Sequence, residues 1–333
     1  MTNNNNYKSC LSLIDTQIAI KLVKDTFEEK LQEALNLIRV SAPLFVKPET
    51  GLNDNLSGYE QAVSFKAKAL GDKNIEIVQS LAKWKRNALS KYNFPFEYGI
   101  YTDMNAIRPF EKIDAIHSLY VDQWDWEKPI LKENRNIDYL KATVNLIYKA
   151  LLETEKVVND RYKELVPVLP REIFFISSEE LLKMYPDDDA KNRELKIARI
   201  KKAVFIYGIG WPLSDGIPHD LRAADYDDWM LNGDIIVYDE KLDIALELSS
   251  MGIRVDEETL VKQSIYKKED KKLLSPYAID LINKRLPYTI GGGIGQSRMC
   301  MFLLKKHHIG EVQASVWSEE EIQEMLAKQI ELL

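Results

Sequence analysis

The chain has 333 residues, which is enough for one large domain or two small ones and for a sizeable buried core. Hydrophobic residues make up 45% and charged residues 29%, an ordinary balance for a globular protein. The net charge of −7 argues against a general nucleic-acid-binding protein, which would carry a basic domain, but it leaves room for a nucleotide pocket.

The two cysteines, Cys10 and Cys300, have no partner at the spacing of a zinc site, and so low a count suits a reducing compartment. No run approaches the roughly 20 apolar residues of a membrane span. The first residues, MTNNNNYKS, lack the apolar segment of a signal peptide. We therefore predict a cytoplasmic protein with no membrane association, in which a disordered tail over residues 1–10 precedes a single domain over residues 11–333.

The first half of the chain predicts helix, extended chain and then a hairpin. Apolar residues at helical spacing predict a long amphipathic helix over residues 16–39. The prolines of VSAPLFVKP then favour extended chain, and GLNDNLSGYE is crowded with turn residues. Two strand-like runs, residues 98–110 and 116–128, are separated by a short polar loop, which is the pattern of an antiparallel hairpin.

The second half predicts a helix over about residues 137–165 and then mostly strands. Residues 171–186 predict a strand that turns into a helix, where Ser177 and Glu180 fit a capping box. Further strand candidates are AVFIYGIG, DIIVYD, IALELSSMGIRV and LPYTI. Consecutive strands favour an antiparallel sheet over alternating βαβ units. The sequence thus predicts an α+β domain with an antiparallel β-sheet flanked by helices.

The stretch GGGIGQSR, residues 291–298, has neither the Lys-Ser/Thr pair of a phosphate-binding loop nor the spacing of a dinucleotide motif. Taken alone, it could be a flexible turn. Its context predicts glycines that cover the end of a strand entering a helix N-terminus, where anions bind. Arg298 falls in the first helical turn and opposes the helix dipole there, so an anionic ligand facing it would explain its position.

Seven segments of the chain, taken in order, resemble those of one known family. They are DNLSG (54–58), SLAKWKR (80–86), YVDQWDWE (120–127), HDLRAADYDDW (219–229), LNGDI (231–235), ELSSMGIRVD (247–256) and TIGGGIGQSR (289–298). The sequence resembles the ammonia-dependent asparagine synthetases, which are related to class II aminoacyl-tRNA synthetase catalytic domains. The long first helix, residues 106–127 and residues 291–304 resemble the three class II motifs.

The resemblance implies a class II catalytic core that forms a homodimer through the first motif. It also implies ATP-dependent synthesis of L-asparagine from L-aspartate and ammonia. In that reaction, ATP with Mg²⁺ converts the side-chain carboxylate into a β-aspartyl-adenylate, and ammonia displaces AMP after pyrophosphate has left.

The resemblance also implies which residues bind ATP. Arg108 and Arg298 would hold the phosphates, for which the fork of an arginine is well suited. His117 would support the nucleotide loop. The implied ATP-binding residues are Arg108, Asp227, Glu247, Gly293, Gly295 and Arg298. Asp234 and Glu247 would bind the metal, since Mg²⁺ takes one or two carboxylates plus phosphate oxygens.

Strand alternation in YVDQWDWE places Trp124 and Trp126 on one face and Gln123 and Asp125 on the other. We expect the tryptophans in the core, and the resemblance places Gln123 and Asp125 on the aspartate substrate. It assigns Lys85 to a substrate carboxylate, although Lys85, Lys83 and Arg86 would otherwise form a solvated basic face.

Asp54 lies in a turn and could be only a turn former, but the resemblance makes it the ligand of the substrate's α-amino group. Gly252 suggests a bulge or a close approach of backbone. The implied catalytic residues are Arg108, Asp54 and Gln123. The implied substrate-binding residues are Asp54, Lys85, Gln123, Asp125, Ser250 and Arg254.

Two other functions remain open from the sequence. An aspartyl- or asparaginyl-tRNA synthetase would need an anticodon-binding domain of roughly 100 residues, and only a short segment precedes the first motif, so we expect no tRNA partner. A non-catalytic binding module would have no reason to keep Arg108, Arg298, Asp234 and Glu247 together, because unpaired buried charges cost stability.

Overall fold

The computed structural model describes residues 7–54, 56 and 60–333. Its helices are α1 Leu13–Leu35, α2 Ala82–Lys91, α3 Ile137–Arg161, α4 Ser178–Met184, α5 Ala190–Lys201, α6 Glu257–Tyr266, α7 Pro276–Ile282, α8 Gln296–Leu303 and α9 Glu319–Ala327. Its strands are β1 Leu37–Arg39, β2 Phe45–Val46, β3 Ser64–Ala67, β4 Lys73–Ile77, β5 Gly99–Ile107, β6 Tyr120–Pro129, β7 Phe174–Ser177, β8 Ala203–Tyr207, β9 Asp227–Asp239, β10 Ile244–Arg254 and β11 Thr289–Gly295.

Eight strands form one sheet in the order β1-β5-β6-β11-β10-β9-β8-β7, and β2, β4 and β3 form a small second sheet. The six central strands pair antiparallel, which confirms the predicted α+β class. The two edge strands, β1 and β7, pair parallel with their neighbours. A long connection joins the two strands of each parallel pair, as parallel pairing requires. Helices α4 and α5, for example, lie between β7 and β8.

The main core lies between one face of this sheet and helices α1, α3 and α8. Trp124 and Trp126 of β6 are 0% exposed in this core, as the alternation predicted, and Phe27 of α1 packs on Trp124 with ring centroids 4.8 Å apart. Helix α2 packs on β5 and β6 from the other face. The side chains on one face of β6 therefore pack in the main core, and those on its other face point toward α2.

The first helix is shorter than predicted. It ends at Leu35, and Asn36 adopts a left-handed conformation with φ 57° as its C-cap. Residues Leu37–Arg39 then form β1 beside β5, so the prediction of helix through residue 39 was wrong. Apolar spacing alone missed this end because Ile38 continues the helical pattern although its side chain is exposed in a strand.

The predicted hairpin and capping box are both present. Strands β5 and β6 pair antiparallel from Ile107–Tyr120 onward. The Ser177 hydroxyl accepts from the Glu180 amide at 3.1 Å, and the Glu180 carboxylate accepts from the Ser177 amide at 2.9 Å. Helix α3 ends at Arg161, four residues before the predicted end.

The glycine cluster is not a flexible turn: it forms the end of the central strand β11, which runs directly into α8, as its context predicted. Strand β11 pairs with β6 on one side and with β10 on the other, so Gly291–Gly293 lie within the sheet and only Gly295 borders α8. A Cβ on Gly291 would collide with the carboxylate of Glu127 and the guanidinium of Arg254. The cluster therefore gives space to buried side chains that cross over the strand.

The predicted disordered tail falls partly outside the described residues. Tyr7 donates a hydrogen bond to Glu311 at 2.8 Å, and Lys306 donates to Ser9 at 2.7 Å, so the last part of this segment contacts the C-terminal region. In the part of the chain that the structure describes, no helix has the length and apolar composition to cross a membrane.

We predict that Gly291→Ala lowers the free energy of unfolding by about 3 kcal/mol or more, because its methyl group would break the buried pair of Glu127 and Arg254. Gly295→Ala in the same strand is the matched control. A Cβ there meets its nearest atom at 3.5 Å, an ordinary contact, so the change should stay within about 0.5 kcal/mol. Urea unfolding measures both, and equal effects would contradict the steric argument.

Candidate active site

The register of four neighbouring strands brings distant residues into one row. Asp125 of β6 lies opposite Gly293 of β11, and Gly293 lies opposite Ser250 of β10. Ser250 in turn lies opposite Asp234 of β9. Directly opposed residues share a face of the sheet, so this row forms a polar floor on the side away from the tryptophans.

Two adjoining cavities open above this floor. Arg108, Gln123, Ser250 and Gly293 line both of them. The first cavity, here called the Arg298 lobe, is further lined by Glu111, Ile116, His117, Asp122, Glu247, Leu248, Gly295, Ser297, Arg298, Ile309 and Gln313. The second, the Lys85 lobe, is further lined by Asp54, Lys85, Asp125, Tyr226, Asp227, Arg254 and Gly292.

Arg108 and Arg298 line the same cleft, and neither pairs with a carboxylate of the described residues. The Arg298 guanidinium donates to the backbone carbonyls of Glu247 at 3.1 Å and Ile116 at 3.3 Å. Arg108 lines both lobes, and its buried Nε has no hydrogen-bond partner in the described part of the chain. Two positive charges thus remain available to an anionic ligand.

The N-terminus of α8 is capped by protein and not left open. The backbone amide of Ser297 donates to Asp122 Oδ1 at 3.1 Å, and Lys24 of α1 donates to Asp122 Oδ2 at 3.0 Å. The carboxylate occupies the place where the sequence suggested an anionic ligand. A ligand in the Arg298 lobe therefore meets the side chain of Arg298 rather than the free end of the helix.

Lys83, Lys85 and Arg86 of α2 are all buried, so the alternative in which they form a solvated basic face is wrong. The Lys85 ammonium pairs with Asp125 and donates to the carbonyls of Trp126 at 2.9 Å and Gly292 at 3.1 Å. Burial lowers the pKa of Lys85, and Arg254 adds to this effect while Asp125 opposes it. Lys83 pairs with Asp225 at 2.8 Å, and Arg86 donates to two backbone carbonyls.

Arg254 is held by two carboxylates in the floor of the Lys85 lobe. Its guanidinium contacts Glu127 at 2.6 Å and also pairs with Asp227. Burial alone would raise the pKa of Glu127, but Arg254 and Lys85 outweigh it and hold this pKa below its usual value. Asp227 therefore lies in the Lys85 lobe and not beside Arg298 and Glu247, where the predicted ATP-binding set placed it.

Asp54 reaches the Lys85 lobe from the turn before β3 and is 2% exposed. Its Oδ1 accepts from the Leu56 amide at 3.0 Å, and its Oδ2 has no partner among the described residues. Burial raises the pKa of Asp54 to about 6, although Lys83 opposes the shift. Residues 55, 57 and 58 of the same sequence motif lie outside the described residues.

Glu247 reaches the Arg298 lobe because of a β-bulge. The register shifts between Glu247 and Ser249, which brings Glu247 to the same face as Asp234. Asp234 is buried in an ion pair with Arg222, and its Oδ1 has no partner among the described residues. Burial raises the pKa of Asp234 to about 7; Arg222 opposes this rise and Glu247 adds to it.

The predicted metal ligands are therefore close enough to affect each other, although only Glu247 lines the cleft. Within the described ranges, no cluster of three or more His, Cys, Asp or Glu side chains is arranged to hold a metal by itself. Gly252, where a bulge or close approach was expected, lies at a second register shift of β10 and packs on Asn232.

Sequence reasoning did not single out Asp122, Glu127, Arg222 or Gln313. The first three lie inside the seven segments that resemble the family. Their charge within these segments could have indicated that they pair with other buried groups. Gln313 follows a short turn in the polar run EVQAS, and nothing in its local sequence distinguishes it. Only the packing of that run against α8 and β6 brings it into the Arg298 lobe.

Solved structures share this fold. Asparaginyl-tRNA synthetase from Entamoeba histolytica matches with a TM-score of 0.66 at 12% identity, over 90% of this chain and 67% of that chain. The Pyrococcus horikoshii enzyme complexed with asparaginyl-adenylate matches with a TM-score of 0.66 at 16% identity, over 91% and 70%. The fold is that of a class II aminoacyl-tRNA synthetase catalytic domain, as predicted.

The family profile for aspartate–ammonia ligase matches residues 14–329. Aspartate–ammonia ligase from Ruminiclostridium cellulolyticum is 55% identical over 98% of this chain and 97% of its own length. The Fusobacterium nucleatum ligase is 58% identical over 94% of this chain and 95% of its own length. The chain belongs to the aspartate–ammonia ligase family.

The different surroundings of two arginines predict different effects on stability. Arg254→Met should lower the free energy of unfolding by about 3–5 kcal/mol, because it leaves Glu127 and Asp227 buried without their cation. Arg298→Met should cost about 1 kcal/mol or less, since only hydrogen bonds to two carbonyls are lost. Urea unfolding of both variants compares them, and a large loss for Arg298→Met would show that its charge is structurally paired.

Proposed function

We propose that the protein makes L-asparagine from L-aspartate and ammonia, and that ATP activates the side-chain carboxylate as a β-aspartyl-adenylate. AMP and pyrophosphate are the other products. Membership of the aspartate–ammonia ligase family supports this reaction. The observation that carries the proposal is a pair of arginines, Arg108 and Arg298, in a cleft that continues into the Lys85 lobe. Neither has a carboxylate partner among the residues that the structure describes.

The shared wall of the two lobes is where the reaction takes place in this proposal. ATP occupies the Arg298 lobe with its α-phosphate near Arg108, and aspartate occupies the Lys85 lobe with its side chain toward the same residue. The guanidinium fork of Arg108 holds both reacting groups and offsets the charge that develops between them. Gln123 lines both lobes and orients the carboxylate.

The Lys85 lobe provides the groups that an amino acid needs. Asp54 pairs with the α-ammonium, and Lys85 and Arg254 supply positive charge for the carboxylate ends. Asp125 and Ser250 complete the polar walls of the lobe. Both cations already have carboxylate partners, so the substrate meets a network with fixed orientation rather than mobile side chains.

Asp234 and Glu247 fit a divalent cation. Both side chains face one side of the sheet, burial and Glu247 raise the pKa of Asp234, and one oxygen of Asp234 has no partner among the described residues. Mg²⁺ held by these carboxylates and by phosphate oxygens would neutralise charge on the polyphosphate.

The remaining parts of the proposal concern partners and location. Exposed apolar side chains support a homodimer: Ile14 and Ile18 lie on α1, in the first motif, and Phe45 and Phe65 lie on the small sheet. The acidic net charge supports the absence of a tRNA partner. A cytoplasmic location stays a prediction from the sequence.

The direct test supplies the protein with aspartate, ATP, Mg²⁺ and ammonium and measures the products. Asparagine and AMP should form in equal amounts. Formation of ADP, or charging of tRNA without free asparagine, would reject the proposal. Omitting ammonium should leave aspartate-dependent exchange of pyrophosphate into ATP, because the adenylate forms before ammonia reacts.

Arg108→Leu should reduce this pyrophosphate exchange by at least about 100-fold, because the α-phosphate and the carboxylate lose their common partner. Arg199→Leu is the control, since Arg199 is exposed and pairs with Asp243 on the surface. The control should keep exchange within about twofold of the unchanged protein. Near-native exchange in Arg108→Leu would remove Arg108 from the mechanism.

The proposed role of Asp54 predicts a pH dependence. Because burial raises its pKa from 3.8 to about 6, Asp54 loses its charge as the pH falls through 6. Affinity for aspartate should then fall by about tenfold for each pH unit below 6. Titration calorimetry from pH 8 to pH 5 measures it, and Asp54→Asn should bind weakly with little pH dependence. Constant affinity down to pH 5 would contradict the assignment.

A further inference from the structure

The side chain of Gln313 lines the Arg298 lobe and carries a buried acceptor without a partner among the described residues. Its side chain is 4% exposed, and its amide nitrogen donates to Asp122 Oδ1 at 3.2 Å and to Ser297 Oγ at 3.0 Å. Its oxygen, Oε1, is buried and has no hydrogen-bond partner in the described part of the chain. A buried amide oxygen without a donor is costly, so a ligand that donates to it gains affinity.

The orientation of this amide is fixed by its neighbours. Lys24 and the Ser297 backbone amide also donate to Asp122, so its carboxylate serves only as an acceptor here. Turning the amide by 180° would place Oε1 against that carboxylate. The nitrogen therefore faces Asp122, and the oxygen remains as the acceptor. The segment itself is held by a hydrogen bond between Ser315 and Ser118 at 2.7 Å.

The position of Gln313 in the cleft indicates which part of a nucleotide it meets. The residues common to both lobes, among them Arg108, mark the phosphate end in the proposed function. Gln313 lines only the Arg298 lobe. The apolar side chains of Ile116, Leu248 and Ile309 line the same lobe and suit the flat face of a base.

We propose that Gln313 Oε1 accepts a hydrogen bond from the exocyclic amino group of adenine and so selects ATP over nucleotides with a carbonyl oxygen at that position. A carbonyl there would set one acceptor against another, and neither could be satisfied. This inference rests on the proposed function in that ATP occupies the Arg298 lobe.

The test measures nucleotide binding by calorimetry, without turnover, for the unchanged protein and for Gln313→Met. The nucleotides are ATP, purine riboside 5′-triphosphate, which lacks the amino group, and inosine 5′-triphosphate, which carries a carbonyl oxygen. The unchanged protein should bind ATP about tenfold more tightly than purine riboside triphosphate, and inosine triphosphate most weakly. Gln313→Met should lose about tenfold for ATP and less than about twofold for purine riboside triphosphate.

This comparison separates recognition of the base from a structural role. If Gln313 only supports Asp122 and α8, Gln313→Met weakens all three nucleotides equally, and that result overturns the inference. A further comparison uses 2′- and 3′-deoxy-ATP. If Gln313→Met loses only the preference for ATP over these deoxynucleotides, the acceptor contacts a ribose hydroxyl, and that result also overturns the inference. The comparison in the unchanged protein needs no variant to fold, and equal affinity for ATP and purine riboside triphosphate would overturn the inference by itself.

The same measurements distinguish this inference from the proposed function. A protein that selects ATP through Gln313 but forms no asparagine would retain the inference and reject the reaction. A protein that forms asparagine and binds the three nucleotides equally would do the opposite.

Discussion

The glycine-rich strand at the centre of the sheet leaves the space in which the polar side chains of the cleft floor meet. β11 carries almost no side chains on the cleft face, so the carboxylates and amides of β6 and the polar residues of β10 extend over it from both sides. Glu127 and Arg254 meet above Gly291, and Gln123 lies above Gly293. A side chain at either glycine would fill the space where these groups meet.

The cations of this cleft fall into two groups: some are paired with carboxylates of the protein, and others have no carboxylate partner among the described residues. Arg254, Lys85 and Arg222 each have a carboxylate partner and are held by the protein itself. Arg108 and Arg298 have none among the described residues, and they remain partly exposed in the cleft. Paired charges keep the geometry fixed, while unpaired ones provide the attraction for an anionic ligand.

Asp122 joins the second and third sequence motifs in space. Its carboxylate, on β6, caps α8 and accepts from Gln313 and from Lys24 of α1, so hairpin, helix and C-terminal segment are tied at one point. Arg298 follows directly after the capped residue, and its position over the cleft depends on that cap. The same contact turns the amide nitrogen of Gln313 toward Asp122, and its Oε1 has no partner among the described residues. A residue without a sequence signal thus comes to line the Arg298 lobe.

Local pattern was sufficient for the fold class, the hairpin, the capping box and the burial of Trp124 and Trp126, because these depend on neighbours a few residues apart. Motif order was sufficient for the family. Position in the cleft was different: Asp227 lines the Lys85 lobe and not the Arg298 lobe, the first glycines pair on both sides within the sheet, and Lys83, Lys85 and Arg86 proved to be buried. Each of these outcomes depends on strand register and on partners far along the chain, such as Arg254 opposite Asp227, which no local spacing encodes.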